Sequence, residues 1–386
     1  MTLNKQKEIE DRQKQLGEVV HSFEINAERH DRERTFPFDN INELIRIGYP
    51  SWTVPENFGG AGISLTEMLQ HQETIARADG PTALSIGWHM GITKHLGENR
   101  IWDNKTYKAF ADDVFYHGAL LNNAASEPAT GSPTRGGKPE TRAVKDGDRW
   151  IINGRKNFTT MAPILTYFVV SASIEGSDRI GNFLIRREYD GVDIEDTWDS
   201  VAMKATGSHD LVLHDVVVNE SDLVEYISPG RKEPAGWLLH IPACYIGIAR
   251  AAQRYATDFA KNYSPNSIEG TIADLPNVIQ KIGQMELLVL ESRHFLYSVA
   301  EKWDRSDLNV RQSMKAELGA VKLSVVNKAM EIVDLAMRIV GAKSLSETNP
   351  LQRYYRDVRA GLHNPPMDDM TINQLAVDSI NKTEKR

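Results

Sequence analysis

The sequence predicts an α+β fold that is mostly helical and is built from three successive parts. Apolar residues follow a helical period in the first third, change to short β-rich runs from about residue 119, and return to a helical period after Pro229-Gly230. We therefore expect an N-terminal helical domain over 1–118, a middle β-domain over 119–228 and a C-terminal antiparallel four-helix bundle over 229–386. A chain of 386 residues with 41% hydrophobic content is long enough for such domains to share a large core.

Each part has local signals of its own. In the first, Ser64 and Glu67 have capping-box spacing and predict a helix that starts at Ser64 and ends near Gly80-Pro81. In the second, β-rich runs separated by Gly, Asn and Asp turns occupy 150–152, 167–170, 183–185, 211–213 and 216–218. In the third, apolar residues spaced by three and four predict long helices, each with one buried stripe: Val278, Ile282, Met285 and Val289, then Met314, Leu318, Val321, Val325, Ile332, Leu335 and Ile339.

Composition argues against several classes of partner. A net charge of -8 disfavours nucleic acid and anionic membrane surfaces, which both attract a basic patch. No apolar run of about eighteen residues is present, so no membrane-spanning helix is expected. A single cysteine, Cys244, excludes an internal disulfide, and the polar N-terminus lacks the apolar stretch of a secretory signal. These features predict a cytoplasmic enzyme.

Two short segments with hydroxyl side chains and glycines, 125–132 and 154–160, look like a flavin site. Small residues let backbone N–H groups approach a planar ligand, and hydroxyls offer neutral hydrogen bonds to it. The candidate cofactor-binding residues are Ser126, Gly131, Ser132, Phe158, Thr159 and Thr160. On the residues alone, an ordinary turn followed by a hairpin at Asn153-Gly154 explains the same pattern equally well.

Other cofactor sites have weaker support. The glycines at 59–62 lack the G-x-G-x-x-G spacing of a dinucleotide site, and no β-α-β pattern surrounds them. His209 and His214 lie five apart in a strand-like stretch, which points them to opposite faces, so no metal site is predicted.

Four motifs in the right order favour the flavin interpretation. They are VPENFGGAG at 54–62, SEPATGS at 126–132, GRKNFTT at 154–160 and RDVR at 356–359. In this order they resemble the signatures of the acyl-CoA dehydrogenase superfamily of flavoproteins, with Phe158 where that family usually has Trp. The resemblance covers nearly the whole chain. It implies FAD bound between the β-domain and the bundle, and a homotetramer or homodimer in which a neighbouring subunit completes the site.

The resemblance fails at the catalytic base. An acyl-CoA dehydrogenase removes the α-proton with a glutamate held in a dry pocket. In this chain the family's usual Glu position falls on Pro365, and the alternative position used by a minority of the family falls near Trp237 or Leu238. Asp368 and Asp369 follow shortly after and are candidate substitutes. Their alternative role is a charge pair at a helix N-terminus.

A second departure concerns the flavin phosphates and points to another branch of the superfamily. The family's R-x-x-F-G element is replaced by NYSPNS at 262–267, so FMN is an alternative to FAD. The segment 360–365 resembles that of the dibenzothiophene-monooxygenase-like enzymes, which take reduced flavin from a separate reductase. In that resemblance His363 matches a histidine of the active cavity and Thr159 falls near an active-site serine. The alternative for His363 is a helix C-cap.

The function that the sequence predicts is therefore flavin-dependent oxidoreduction. Dehydrogenation of an acyl-CoA thioester comes first because it is the family's commonest activity. Across the hypotheses the candidate catalytic residues are His363, His89 and Asp368, of which Asp368 would serve a dehydrogenase and His363 favours an oxygenase. His89 lies in an apolar run and is alternatively a core histidine, although its family counterpart lies close to the substrate cavity. The second hypothesis is a two-component monooxygenase acting on a small organic molecule, and the third is a flavoprotein that has lost its chemistry. Expected partners are a small-molecule substrate such as acyl-CoA and a flavin reductase or electron-transfer protein.

Overall fold

The computed structural model describes residues 3–130, 137–227 and 234–383. Helices come first, then a sheet, then helices again, in the order that the hydrophobic periods predict. The first helices are α1 (Leu3–Glu33), α2 (Phe38–Arg46), α3 (Leu65–Ala78), α4 (Gly80–Asn99) and α5 (Asn104–His117). The strands are β1 (Leu121–Ala124), β2 (Arg142–Asp146), β3 (Arg149–Thr159), β4 (Tyr167–Ile174), β5 (Ile180–Arg186), β6 (Val192–Glu195), β7 (His209–Asn219) and β8 (Leu223–Ile227). The last helices are α6 (His240–Asn262), α7 (Pro276–Arg305), α8 (Leu308–Ser313), α9 (Lys315–Val340), α10 (Pro350–Arg359) and α11 (Asp368–Thr383).

The strands form one sheet in the order β6-β7-β3-β2-β4-β5-β8, with β1 paired to β4. All five predicted β-rich runs lie within β3, β4, β5 and β7. The hairpin expected at Asn153-Gly154 is wrong, because both residues lie inside β3, where the pairing with β7 shifts its register. A Cβ on Gly154 would lie 2.7 Å from the Cα of Thr141, so this glycine permits a close approach of two chain segments.

Helix α3 begins as its capping signal predicts. The Ser64 hydroxyl accepts a hydrogen bond from the Glu67 N–H at 3.1 Å. A second cap comes from the end of α7, where the Asp304 carboxylate accepts the N–H groups of Leu65 and Thr66 at 2.8 and 2.9 Å. The helix ends at Ala78, just before Gly80-Pro81, which begins α4. The N-terminal helices are thus joined directly to the C-terminal ones.

Helix α9 occupies the centre of the C-terminal part, where α6, α7, α10 and α11 pack against it. Its predicted apolar stripe is buried over most of its length: Leu318, Val321, Val325, Ile332 and Ile339. This architecture confirms the predicted fold class, although the domain boundaries at 118/119 and 228/229 stay predictions.

The RDVR motif ties three parts of the chain together. Arg356 pairs with Asp31 of α1 at 2.5 Å and donates to the carbonyl of Val201 in the β-domain at 2.6 Å. Its neighbour Asp357 is buried and accepts the backbone N–H of Met203 at 2.6 Å. The motif therefore holds α10 against both α1 and the segment that precedes β7.

The first motif also has a packing role. A Cβ on Gly60 would lie 2.5 Å from the carbonyl oxygen of Ser51, so only glycine lets this turn fold back on the chain before it. Over the ranges that the structure describes, no helix has the length and apolar character needed to cross a bilayer. The same ranges hold no cluster of three or more His, Cys, Asp or Glu side chains placed to bind a metal ion.

Candidate active site

A buried ion pair joins the two segments that the sequence predicts to hold flavin. The Lys156 ammonium on β3 lies 2.5 Å from Glu127 Oε1, and both side chains are at most 2% exposed. Glu127 also accepts the hydroxyl and the N–H of Thr141, at 2.6 and 3.0 Å. A backbone bond from the N–H of Asn157 to the carbonyl of Ser126 at 3.0 Å completes the connection.

Burial and pairing act against each other in this ion pair. Burial raises the pKa of Glu127, but hydrogen bonds from Lys156 and Thr141 outweigh it and bring that pKa below its ordinary value. Burial lowers the pKa of Lys156, and Glu127 opposes that shift. The pair is therefore ionised and fixes the position of Ser126 next to the end of β3.

Phe158 presents an exposed ring at the end of this strand. Its side chain is 62% exposed, and its backbone is in the left-handed region at φ 55°, which few residues with a side chain adopt. The ring meets that of Trp198 edge to face, with centroids 6.0 Å apart. Two aromatic rings beside the predicted flavin segments form a surface suited to a planar ligand.

Thr160 begins a chain of hydroxyl groups with a defined direction. Thr160 Oγ1 lies 2.9 Å from Ser208 Oγ, which lies 2.8 Å from Thr206 Oγ1, and Thr206 donates to the carbonyl of Met203 at 3.0 Å. Since each hydroxyl has one proton, Ser208 must donate to Thr206 and Thr160 must donate to Ser208. The remaining lone pairs of Thr160 are left to accept a hydrogen bond from a ligand N–H.

Two polar atoms near this chain lack a partner. Thr159 is fully buried, and its hydroxyl makes no hydrogen bond within the described ranges. The side-chain oxygen of Asn157 is buried and unpaired in the same sense. Buried polar atoms are nearly always bonded, so unsatisfied ones beside an exposed aromatic ring fit a site that a polar ligand completes. Gly131 and Ser132, the other predicted contacts, lie outside the described residues.

His89 lies in the core, with both ring nitrogens bonded to backbone. Its Nε2–H donates to the carbonyl of Pro50 at 3.1 Å, and its Nδ1 accepts the N–H of Leu121 at 3.1 Å. Burial lowers the pKa of His89 to about 4, so the ring is neutral at physiological pH. This geometry ties α4 to the start of β1 and leaves neither nitrogen for a substrate.

Pro365 and Leu238 line one cavity, and the resemblance puts the family's catalytic glutamate at Pro365 or near Trp237 or Leu238. This cavity of about 170 Å³ lies between α9, α11 and the 3₁₀ turn Gly236–Leu239, and both Leu238 and Pro365 face it. Its described lining is mostly apolar and contains no carboxylate. The buried cation Lys322 also lines it and pairs with Asp368 at 3.0 Å.

The other predicted catalytic residues, His363, Asp368 and Asp369, are close in sequence to Pro365 and are not among the described residues that line the cavity. Asp368 and Asp369 form the first turn of α11, which is the alternative that the sequence offered for them. His363 is exposed at the end of the 3₁₀ segment Ala360–His363. The following residue, Asn364, accepts the hydroxyl of Tyr245 at 2.5 Å, which holds this segment against α6.

Sequence reasoning missed the partners that position the site. Ser208 and Thr206 complete the hydroxyl chain, and the run Thr206-Gly207-Ser208 ahead of β7 is a short hydroxyl-rich signal that could have been found. Lys322 carried no signal, because a lysine within a helical pattern is ordinarily a solvated one.

Family models match the chain in three successive segments. The acyl-CoA dehydrogenase N-terminal domain matches residues 9–98, the middle domain matches 122–216 and the C-terminal domain matches 239–364. The chain therefore belongs to the acyl-CoA dehydrogenase family. It is an oxidoreductase of the flavoprotein superfamily that carries this name.

Its relatives fall into more than one branch. The acyl-CoA dehydrogenase-like protein YdbM of Bacillus subtilis is 52% identical over 365 residues, covering 94% of this chain and 95% of that protein. The amino sugar nitrososynthase DnmZ of Streptomyces peucetius is 27% identical and covers 90% of this chain and 87% of its own length. The structure of TdsC from Paenibacillus sp. A11-2 with FMN and indole has a TM-score of 0.85 at 21% identity, with 96% of each chain covered. The last likeness shows the shared fold.

The residues at the end of β3 fit the flavin that the family implies. The exposed ring of Phe158 and the acceptor lone pairs of Thr160 offer a planar surface with a polar contact at its edge. FAD is the family's flavin, and FMN is the alternative.

Proposed function

We propose that this enzyme inserts oxygen into a small nitrogen- or sulfur-containing organic molecule, using reduced flavin supplied by another protein. The observation that carries the proposal is the cavity next to Leu238 and Pro365, whose described lining contains no carboxylate. Desaturation of an acyl-CoA needs a carboxylate that faces the substrate and accepts a proton. Oxygenation needs no such base.

Asp368 is paired with Lys322, which lines this cavity, and that contact argues against a role as base. Its carboxylate lies 3.0 Å from the ammonium of Lys322, which is 1% exposed. If Asp368 accepted a substrate proton, the buried Lys322 would lose its counter-charge, which is costly in a water-poor environment.

The end of β3 would hold the flavin. Phe158 would lie along the ring system, Thr159 and Thr160 would bond its polar edge, and Ser126 would contact it from the neighbouring loop. A bound reduced flavin would supply two electrons to molecular oxygen. One oxygen atom would enter the substrate, and the other would leave as water. Thr160 is restricted to accepting, so it suits a ring nitrogen that carries hydrogen, as in reduced flavin.

His363 would provide the proton needed to release water. Its side chain is exposed on a segment held by the Tyr245–Asn364 hydrogen bond, so it is accessible while its backbone is fixed. Loss of the R-x-x-F-G element at 262–267 supports FMN, whereas the family supports FAD.

Dehydrogenation of an acyl-CoA is the second candidate. It is supported by 52% identity to YdbM, whose name carries that activity, and by the apolar lining of the cavity. It would require Asp368 to turn away from Lys322 toward the substrate.

The partners and setting of the enzyme are part of this proposal. Exposed apolar side chains on α7 and α11 support a homodimer or homotetramer: Ile279, Leu287, Leu290, Ile372, Val377 and Ile380. Reduced flavin would come from a reductase, and the cytoplasm supplies the reducing environment that this reaction uses.

Two parallel assays separate the candidates. Protein loaded with oxidised FAD or FMN is mixed anaerobically with a panel of acyl-CoA thioesters while flavin absorbance is followed. Protein loaded with reduced flavin is mixed with oxygen and a panel of amines and sulfides, and products are analysed for added oxygen. We expect no bleaching in the first assay and oxygenated product in the second. Bleaching by a thioester would overturn the proposal and direct attention to Asp368.

A further inference from the structure

A second cavity, which is polar, lies apart from the candidate active site. It has a volume of about 370 Å³, is partly open to solvent, and lies between α1, α3, α6 and α7. None of the residues that line it also lines the cavity next to Pro365. Its polar lining residues are Gln13, Gln70, His71, Glu73, Thr74, Arg77, Arg250, Arg293 and Tyr297.

The described lining carries an excess of two positive charges. Three arginines face one glutamate, in a chain whose net charge is -8. Nearby charges do not correct the excess, because Arg12 is paired with Glu67 and Arg254 with Glu24. Concentrated positive charge in a concave site attracts an anion.

One carboxylate, that of Glu73, organises this cavity. Its side chain is 3% exposed and pairs with both Arg250 and Arg293. The hydroxyl of Tyr297 donates to the same carboxylate at 2.5 Å. Each arginine lines the cavity and uses only part of its donor set on Glu73, so both have further N–H groups with which to bind a ligand.

Arg77 is a cation that no hydrogen bond or ion pair holds within the described ranges. Burial lowers the pKa of Arg77, repulsion from Arg250 and Arg254 adds to that shift, and attraction to Glu73 and Glu24 opposes it without cancelling it. An anion bound between Arg77 and Arg250 would remove this repulsion.

His71 supplies a second and independent sign of a ligand. Its side chain is 1% exposed and lines the cavity. Its Nε2 lies 3.9 Å from the Glu67 carboxylate, beyond hydrogen-bond distance, and neither ring nitrogen has a hydrogen-bond partner within the described part of the chain. Burial lowers the pKa of His71 to about 3, with Arg12 adding to the effect, so the ring is neutral. A neutral imidazole can donate one hydrogen bond to an oxyanion.

We propose that the cavity lined by Arg77, Arg250, Arg293 and His71 binds a phosphate group. An excess of two positive charges matches a phosphate dianion, and the guanidinium fork bonds phosphate oxygens in pairs. The group belongs to a small phosphate monoester or to inorganic phosphate itself. This site is separate from flavin binding and from the reaction at the other cavity.

Calorimetric titration of the flavin-loaded protein with inorganic phosphate at constant ionic strength tests the proposal. We expect saturable binding with a Kd of about 1 mM or tighter. Glycerol phosphate, titrated in parallel, distinguishes the two sources, because tighter binding of the ester indicates an organic ligand and equal binding indicates free phosphate. Absence of saturable heat with both would overturn the proposal.

Arg77→Gln provides the matched variant, with Arg305→Gln on the exposed end of α7 as control. In phosphate-free buffer Arg77→Gln should unfold at the same temperature as the parent or higher, because it relieves repulsion. In phosphate the parent and the control should gain stability, while Arg77→Gln should bind at least about tenfold more weakly. An equal gain in all three proteins would contradict the site. Flavin content should be unchanged throughout.

Discussion

Asp357 and Thr160 are connected through the backbone of a single residue, Met203. The N–H of Met203 donates to the Asp357 carboxylate at 2.6 Å. The carbonyl of Met203 accepts the hydroxyl of Thr206, which is the last member of the hydroxyl chain that begins at Thr160. One end of this connection lies in the RDVR motif of α10 and the other beside the predicted flavin surface. These hydrogen bonds connect α10 to Thr160, which is one of the predicted flavin contacts.

Asp357 should make stability depend on pH. Burial, together with repulsion from Asp31, raises the pKa of Asp357 to about 7 against the hydrogen bond from Met203. The unfolded carboxyl, with its ordinary pKa of 3.8, loses its proton first, so this group's contribution is fully present below about pH 4 and is lost as the pH rises to about 7. Asp357→Asn should become progressively more stable relative to the parent over that interval, as measured by urea unfolding.

The control for this experiment is Asp334→Asn, which breaks a half-exposed pair with Arg359. Its free energy of unfolding, measured over the same pH interval, shows the effect of removing a carboxylate that is half exposed. A constant difference between Asp357→Asn and the parent would show that the carboxyl of Asp357 does not titrate in the folded protein at a raised pH.

Lys156→Met should lower stability by about 3–5 kcal/mol, because it leaves the buried Glu127 without its counter-charge. The matched control is Lys145→Met on β2, whose pair with Glu220 is exposed and should contribute no more than about 1 kcal/mol. Thermal unfolding and flavin retention after gel filtration measure the two effects. Equal losses in both variants would show that the buried pair does not hold the loop at Ser126.

Thr160→Val should weaken flavin binding by about tenfold, since it removes one hydrogen bond to the ring. Fluorescence titration with FMN and FAD would measure it. In this variant Ser208 also loses the proton that Thr160 donates, so a small loss of stability is expected. Normal flavin affinity would argue against the contact.

Thr159→Val should behave differently from Thr160→Val. Because its hydroxyl is buried and has no partner within the described ranges, valine should leave the flavin-free protein as stable as before or more stable. The same change should weaken flavin binding if the hydroxyl serves the cofactor. Lower stability without flavin would reveal a protein partner for this group.

Substitutions at His363 and His89 should have different effects on activity and on stability. His363→Ala changes an exposed side chain and should shift stability by no more than about 0.5 kcal/mol while abolishing oxygenation. His89→Ala breaks two buried backbone contacts and should destabilise by at least about 2 kcal/mol. Circular dichroism melting and the oxygenation assay give both readouts. Full activity in His363→Ala would remove this residue from the mechanism.

Much of the fold could be predicted from the sequence because its signals are local. Ser64 and Glu67 are three residues apart, and the apolar stripe of α9 repeats every three or four residues, so both are visible without any knowledge of distant contacts. The hairpin interpretation of Asn153-Gly154 was wrong because it also used only local sequence. The dipeptide fits a tight turn, but the close approach of Thr141 requires the glycine inside a strand.

The site was harder to predict because its contacts are distant in sequence. Thr160 and Phe158 were predicted from their motif, and their role stays a prediction. Ser208 contacts Thr160 only because the chain ahead of β7 lies beside the end of β3, and Met203 contacts Asp357 from a different part of the chain. The missing glutamate could be noticed at Pro365 from the sequence. That Leu238 faces the same cavity could only be seen in three dimensions.

Asp304 links two parts of the chain that the predicted domain boundaries separate. Its carboxylate, at the end of α7, caps the first turn of α3, which lies more than two hundred residues earlier in the chain. A fragment that contains the N-terminal helices alone would expose those N–H groups and the apolar faces around them. During synthesis α3 is made long before its cap, so the first third of the chain should reach its final packing only after the last third has emerged from the ribosome.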